Sequence, residues 1–280
     1  MVIFKNAGQI AGFLSETDIN KKIVGFVPTM GALHQGHMSL IQASKEQSDL
    51  TVCSIFINPA QFNNQEDFER YPVTIENDLE LLLAAHCDVL FFPTVDQIYP
   101  PGYQKKIFPL GRIETILEGQ FRPGHFQGVC EVVDRLLDIV QPHNLYVGQK
   151  DYQQCMVLQK LLELKGKERE IMLMVEPTLR EPNGLAMSSR NLRLSEEDRQ
   201  KAASLNKTLE YIRDNLGQEP LKTLRRKAKG NLESEGFAVD YVEIADARTL
   251  EPVNCYSAKL VALVAASIGN VRLIDNMVLN

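Results

Sequence analysis

The sequence predicts an α/β fold: a parallel sheet with helices on both faces, followed by a smaller α+β domain. Three observations carry this expectation. Short apolar runs closed by turn residues alternate with helical patterns through residues 1–176, which is the signature of βαβ units. The polar motifs fall repeatedly just past the ends of those runs, where parallel sheets bind their ligands. The character of the chain then changes after Pro177, so the expected division is 1–176 and 177–280.

Taken in order, the run 23–27 reads as a buried strand ending at Pro28 and is followed by a glycine-bearing loop, 29–36. A helix is expected over 39–45; if it begins near Gly36 or His37, both imidazole rings lie at its N-terminal end. A second strand, 50–57, is stopped by Asn58-Pro59. Helix 79–85 precedes a third strand, 89–92, stopped by Pro93. Helix 129–140, strand 144–148, helix 152–165 and strand 170–175 complete the larger domain. Beyond it, residues 180–191 are rich in polar and turn residues. A charged helical region, 195–235, is interrupted near Gly217 and Pro220. An alternating segment, 239–244, and an apolar run, 260–266, supply strands for the smaller domain.

Composition narrows the function class. Of 280 residues, 44% are apolar and 24% charged, ordinary for a chain with a sizeable core. The net charge of −6 argues against a broad nucleic-acid face but leaves room for a local cationic pocket. The five cysteines are scattered and form no CxxC pair, which fits a reducing, cytoplasmic setting better than a disulfide or zinc framework. The first residues hold no apolar signal core, and no apolar run reaches the roughly 20 residues that span a bilayer; neither secretion nor membrane insertion is expected.

His34 and His37 sit three apart around Gly36, after a buried strand and before a helix. Backbone N–H groups and the helix dipole at such a place favour phosphate, and two imidazoles add donors to an α-phosphate as its charge develops. Gly31 and Gly36 allow close backbone approach. A loop pair with local hydrogen bonds is the plain alternative. Zinc is a third, although no further histidine or cysteine stands at ligand spacing. Lys150, just past Gly148 at a strand end, is a point charge suited to β- and γ-phosphates, or a solvated lysine. Met187-Ser188-Ser189-Arg190 offers two hydroxyls and a guanidinium in one turn; its alternative is a capped helix start. Asn58-Pro59-Ala60-Gln61 reads locally as a strand-terminating turn, and Gln154 as a polar helix residue. Arg122 and His125 either assist a carboxylate or belong to a plain loop, and His86 and His143 read as structural.

Five blocks carry a resemblance: 27–37 (VPTMGALHQGH), 56–62 (FINPAQF), 121–126 (FRPGHF), 148–154 (GQKDYQQ) and 180–191 (REPNGLAMSSRN). In this order they resemble the pantothenate synthetase (pantoate–β-alanine ligase) family, and HxGH alone resembles the wider nucleotidyltransferase superfamily. The resemblance implies a Rossmann-like first domain and a smaller one covering the ATP site, so that each domain builds one wall. It implies an acid–amino-acid ligase of pantothenate biosynthesis: ATP and pantoate form pantoyl adenylate and pyrophosphate, then β-alanine displaces AMP. Mg2+ and a homodimer are implied as well.

By the same resemblance, His34, His37 and Lys150 are catalytic, with His37 also a candidate proton carrier. ATP contacts fall on Met30, Gly31, Ala32, Leu33, His34, Gln35, Gly36, His37, Gly148, Gln149, Lys150, Asp151, Leu179 (through its backbone), Met187, Ser188, Ser189 and Arg190. Gln61, Gln154 and Asn58 bind pantoate and β-alanine. Asp78 stands where the family has an acidic residue near Mg2+, against a local reading as a solvated helix Asp. Two rivals remain: a nucleotidyltransferase that stops after transferring the nucleotidyl group, and a non-catalytic nucleotide-binding protein. Contact with nucleic acid or a membrane is not expected.

Overall fold

The computed structural model describes residues 1–16, 21–255 and 259–280. The chain divides into two compact units, Met1–Gly148 with Gln154–Pro177, and Gln149–Gln153 with Thr178–Asn280.

The first unit is built on six parallel strands: β1 (Val2–Phe4), β2 (Val24–Thr29), β3 (Leu50–Ile55), β4 (Val89–Phe91), β5 (Asn144–Gly148) and β6 (Met172–Glu176). Their order is β1-β4-β3-β2-β5-β6. From β2 the chain builds outward to β3 and β4 on one side, and later to β5 and β6 on the other. The carboxyl ends of β2 and β5, Thr29 and Gly148, therefore flank the point where the order reverses, the usual ligand position in such sheets.

The period-two geometry of strands divides the apolar residues between two cores. Phe26, Val52, Val89, Phe91, Leu145 and Val147 join one cluster, packed with Ile10 and Leu14 of helix Ala7–Leu14, with the apolar face of helix His125–Val140, and with Val157, Leu158 and Leu161 of helix Tyr152–Leu164. Their neighbours Val27, Cys53, Leu90 and Tyr146 join the other, with Leu40 and Ile41 of helix Gln35–Gln47 and Leu82 of helix Ile75–Ala84. With both faces covered, the central strands are continuous apolar runs rather than alternating ones.

Three helices begin at Gln35, Ile75 and His125, each about one turn before the apolar periodicity at 39, 79 and 129. Their first turns hold the polar and glycine residues that approach the site, so hydrophobic spacing does not mark them. β2 continues through Pro28 to Thr29 because it pairs with β5 only at Gly25 and Phe26. Beyond that point it has one neighbour, and a proline without an N–H is tolerated. Strand β1 and helix Ala7–Leu14 lie where the sequence carries no strong pattern.

The second unit is an antiparallel sheet, β7 (Ala238–Asp246), β8 (Leu260–Ile268) and β9 (Val271–Val278), in the order β7-β8-β9. Helices Ser204–Asp214 and Leu221–Ser234 place Leu205, Leu209, Ile212, Leu224, Ala228 and Leu232 against Val242, Ile244, Ala262, Val264 and Ala266. The spacing of these helix residues is that of a single apolar stripe.

Among the described residues no helix is long and apolar enough to cross a membrane. Cys53, Cys87, Cys130 and Cys155 are buried and Cys255 is exposed. Burial pushes the Cys53 thiol well up, the Cys87 thiol to about 11 and the Cys130 thiol to about 12. Since the thiolate is the reactive form, an aromatic disulfide reagent will titrate one thiol, Cys255, in the folded protein at pH 8, and all five in denaturant. Rapid labelling of a second thiol under native conditions would contradict this packing.

Candidate functional site

The loop after β2 is held by one carboxylate. Thr29 Oγ1 donates to the Ser54 carbonyl at 2.7 Å and accepts from the Gly31 N–H at 3.2 Å, closing the strand end. Gly31 then takes φ +81° and Ala32 φ +48°. A Cβ at Gly31 would stand 3.1 Å from both Asp78 Oδ2 and Ile55 Cγ2, so position 31 combines a left-handed backbone with crowding. The turn aims two amides at helix Ile75–Ala84. Ala32 N–H donates to Asp78 Oδ2 at 2.9 Å, and Leu33 N–H to Asp78 Oδ1 at 2.8 Å. Thr74 Oγ1 adds a third donor at 2.9 Å. Asp78 is 0% exposed. It is not the solvated helix residue of the local reading. Both of its oxygens are spent on the loop.

The two histidines begin helix Gln35–Gln47 as a reciprocal cap. Gly36 N–H donates to His34 Nδ1 at 3.1 Å, and His34 N–H donates to His37 Nδ1 at 3.3 Å. In the usual capping box a Ser or Thr and a Glu fill these roles; here two imidazoles do. The arrangement fixes the tautomer: each Nδ1 accepts, so each neutral ring carries its proton on Nε2. The rings lie 4.0 Å apart between centroids, tilted by 40°. Met30 is half-buried, Gly31, Ala32 and Leu33 are buried, and Gln35 is exposed.

Past β3, Gln61 closes a short turn, Pro59–Gln61, capped by Asn58. Asn58 Oδ1 accepts from Ala60 N–H (3.2 Å) and Tyr99 Oη (3.0 Å), while its Nδ2 donates to the Gly128 carbonyl (3.0 Å) and Gln61 Oε1 (3.3 Å). Asn58 is 1% exposed and its amide holds Gln61. Gln61 Oε1 therefore accepts, and its Nε2 end lies against Met30 Sδ at 2.8 Å, which joins the first and second sequence blocks.

The third block packs on the same turn. His125 Nδ1 donates to the Gln61 carbonyl at 2.8 Å, leaving Nε2 to accept from Arg122 at 3.1 Å. A Cβ at Gly128 would come 2.2 Å from the Ala60 carbonyl, so helix His125–Val140 approaches this closely only with glycine there. Arg122 and His125 thus support Gln61. Gln154 is half-buried near the start of helix Tyr152–Leu164. His143 is structural: its Nδ1 accepts from Val24 N–H at 3.0 Å.

The remaining expected residues lie in the second unit, except Gly148, which ends β5. Lys150 sits in the turn Gln149–Asp151, its Nζ 4.0 Å from Asp151 Oδ1. The turn is tied to β9, where Asn276 Nδ2 donates to the carbonyls of Gln149 (2.9 Å) and Lys150 (2.8 Å). Next to it, Asp275 takes Arg180 in a bidentate pair at 2.6 and 3.0 Å. Burial raises the Asp275 carboxyl above the ordinary carboxylate value, and the Arg180 guanidinium and the Asn276 N–H only partly offset it. Arg180 also donates to the Gly184 carbonyl at 3.2 Å. The segment is further closed by Met187 N–H to the Leu179 carbonyl (3.0 Å) and by Asn191 to Glu181 (2.9 Å) and the Ala186 carbonyl (3.1 Å). Ser188 caps the turn Ser189–Arg193 by accepting from Arg190 N–H at 3.3 Å. Ser189 is buried and Arg190 half-buried.

Thr74, Tyr99, Asp275 and Asn276 carry no motif and were not marked by the sequence. In β9 the alternation of buried and half-buried residues breaks at 275–276, where two adjacent polar residues are both buried, a burial that the residue types alone do not announce.

Comparison with known proteins shows the family of the chain. The family model described as pantoate-beta-alanine ligase matches residues 2–278. A pantothenate synthetase of Thermotoga petrophila is 43% identical over 100% of both chains, and one of Aquifex aeolicus is 42% identical over 98% of both. The crystal structure of pantothenate synthetase from Thermus thermophilus superposes with a TM-score of 0.93 at 38% identity, covering 99% of each chain. The ligase from Francisella tularensis, described as complexed with beta-gamma ATP and β-alanine, gives 0.83 at 38% identity, over 99% of this chain and 97% of that one.

The role of Asp78 yields a stability prediction. Asp78→Ala leaves two buried N–H groups without an acceptor, each worth roughly 1–3 kcal/mol, so the first unit should lose about 3 kcal/mol or more in a denaturant titration. Asp78→Asn, which keeps one acceptor oxygen, should lose less. An unshifted midpoint for Asp78→Ala would refute the anchoring role.

Proposed function

The chain belongs to the pantoate–β-alanine ligase family, and from that premise we propose how its own residues run the reaction. It condenses pantoate with β-alanine at the expense of ATP, giving pantothenate, AMP and pyrophosphate through pantoyl adenylate. The single observation that best supports an adenylation site is the histidine pair: two neutral imidazoles locked in one tautomer at a helix N-terminus, on a loop fixed by Asp78.

In the first step a pantoate carboxylate oxygen bonds to the α-phosphorus and the bond to pyrophosphate breaks. Charge builds on the α-phosphate oxygens. We assign the stabilisation of that charge to the Nε2–H groups of His34 and His37, which need no reorientation to donate. Residues 30–37 take ATP, with Gly31 and Gly36 allowing backbone approach. Lys150, with Gln149, Asp151 and Gly148, and the segment Met187, Ser188, Ser189 and Arg190, with the backbone at Leu179, are assigned to the nucleotide and its phosphates. Gln61 and Gln154 are assigned to pantoate; Gln61 presents its N–H2 end, suited to a hydroxyl or carboxylate oxygen. In the second step the β-alanine nitrogen bonds to the acyl carbon, the mixed anhydride C–O bond breaks, AMP leaves and the amine loses a proton. No covalent enzyme intermediate is required.

Mg2+ is proposed to enter as part of the MgATP substrate, held largely by phosphate oxygens and water as is usual for this ion. A homodimer and a cytoplasmic location complete the reading, supported by family membership and by the buried free thiols.

The test is product formation from the purified protein with ATP, pantoate and β-alanine. AMP should form with all three and fall to background when either pantoate or β-alanine is withheld under multiple turnover; AMP release indifferent to the amine would overturn the ligase reading. His37→Ala should lower kcat for pyrophosphate release by roughly 10²–10³ in a protein that stays folded, its stability reduced only by the lost cap, about 1 kcal/mol; an unchanged kcat would remove His37 from the chemistry.

A further inference from the structure

The contacts of β9 reach beyond the second unit's core. Val271, Leu273 and Asp275 are buried in alternation with half-buried Arg272 and Ile274, as in a strand with one face inward. Asn276 belongs to the other face yet is 3% exposed, because the turn Gln149–Asp151 covers it. Two main-chain carbonyls, from Gln149 and Lys150, point at one side-chain atom of Asn276 at 2.9 and 2.8 Å. Carbonyl oxygens only accept, so that atom is the amide nitrogen and the orientation is fixed. The other end, Oδ1, accepts from Gln149 Nε2 at 3.4 Å, closing a ring around the turn. Asp275 accepts the Asn276 N–H at 2.8 Å and pairs with Arg180, so the strand is itself braced at this point.

We propose that Asn276 is the positioning residue for Lys150, setting the path of the turn from which the lysine projects. This rests on the reading of Lys150 as a phosphate-handling group. The side chain at 276 touches the main chain of the turn and not the ammonium group, so its effect is geometric. A turn released from its two carbonyl anchors leaves Lys150 present and charged but misplaced, and a displacement of about 1 Å in a positioning group costs up to roughly 10²-fold in rate. The substitutions follow from the chemistry. Alanine removes both donors. Aspartate keeps the volume and turns an acceptor oxygen toward two carbonyls.

The experiment is a double-mutant cycle on the full chain, with KM for ATP, KM for pantoate and kcat measured for Asn276→Ala, Lys150→Ala and the pair. Asn276→Ala is expected to raise KM for ATP or lower kcat by about tenfold or more, to leave KM for pantoate within about twofold, and to add nothing further in the Lys150→Ala background. Multiplicative losses in the two backgrounds, an equal rise in both KM values, or wild-type kinetics would each overturn the positioning role. If Lys150→Ala itself leaves the ATP response unchanged, the reading of Lys150 fails and the proposal falls with it; if only the Asn276 variant is silent, the proposal falls alone. Should Asn276→Ala not fold, the isosteric Asn276→Asp carries the same cycle.

Discussion

The first unit's site depends on a single constraint, the pair of N–H···O bonds from Ala32 and Leu33 to the Asp78 carboxylate. Without it, residues 30–34 form a loop with two consecutive left-handed positions and buried amides lacking acceptors, a conformation with no intrinsic stability. With it, the chain leaving β2 is turned into helix Gln35–Gln47 at a set angle, and the histidines meet where each can cap the other. Asp78 is bound in turn by Thr74, so the loop geometry is dictated by the first turn of another helix. A buried carboxylate that accepts three hydrogen bonds is costly to release from them, and that cost keeps the loop rigid.

The same device recurs with different chemistry. Asn58 fixes the turn bearing Gln61 by means of a buried amide, and within the second unit Asn276 fixes the turn bearing Lys150. In each case an irregular segment carries the side chain assigned to the substrate, and a buried polar group fixes it: Asp78 and Asn276 reach the segment's backbone from another element of the same unit, while Asn58 is the turn's own cap and is anchored to the Gly128 carbonyl. Irregular chain cannot satisfy its own N–H and C=O groups as helices and strands do, so precision there has to come from outside the segment.

This explains what could be read from the sequence. Strands β2 to β5 were legible because burial on both faces makes each one an apolar run, as at 50–55, where every residue is buried; β6, an edge strand with no buried residue, was legible only from its run of apolar residue types. The segments carrying His34, His37, Gln61 and Lys150 were legible because chemically distinctive residues stand at strand ends. The helix starts were missed by a turn at Gln35, Ile75 and His125, since polar first turns carry no hydrophobic period. β1 and β9 lacked that contrast as well: β1 is a three-residue edge strand that is largely exposed, and β9 mixes Arg272, Asp275 and Asn276 into its apolar pattern. The supporting residues were the least visible. Asp78 looks like any acidic residue in a helix's first turn, and Asn58 like part of an Asn-Pro stop. What separates them from solvated residues is a partner distant in sequence, 45 positions away from Asp78 at Leu33 and 70 from Asn58 at Gly128, and no local pattern encodes that distance.

On the proposed assignment of His34 and His37 to the α-phosphate, the use of histidine in the cap suits the chemistry of the transfer. A Ser and a Glu would satisfy the same two N–H groups, but the Glu would place a negative charge where the α-phosphate must gather its own. An imidazole accepts at Nδ1 and still offers a donor at Nε2, so one ring both completes the helix and faces a developing anion with the right polarity. Because Gly36 N–H and His34 N–H select the tautomer before any ligand arrives, no proton rearrangement or ring flip has to accompany charge development. The cap is therefore part of the preorganisation, and the rigidity Asp78 gives the loop becomes rigidity of the two donors.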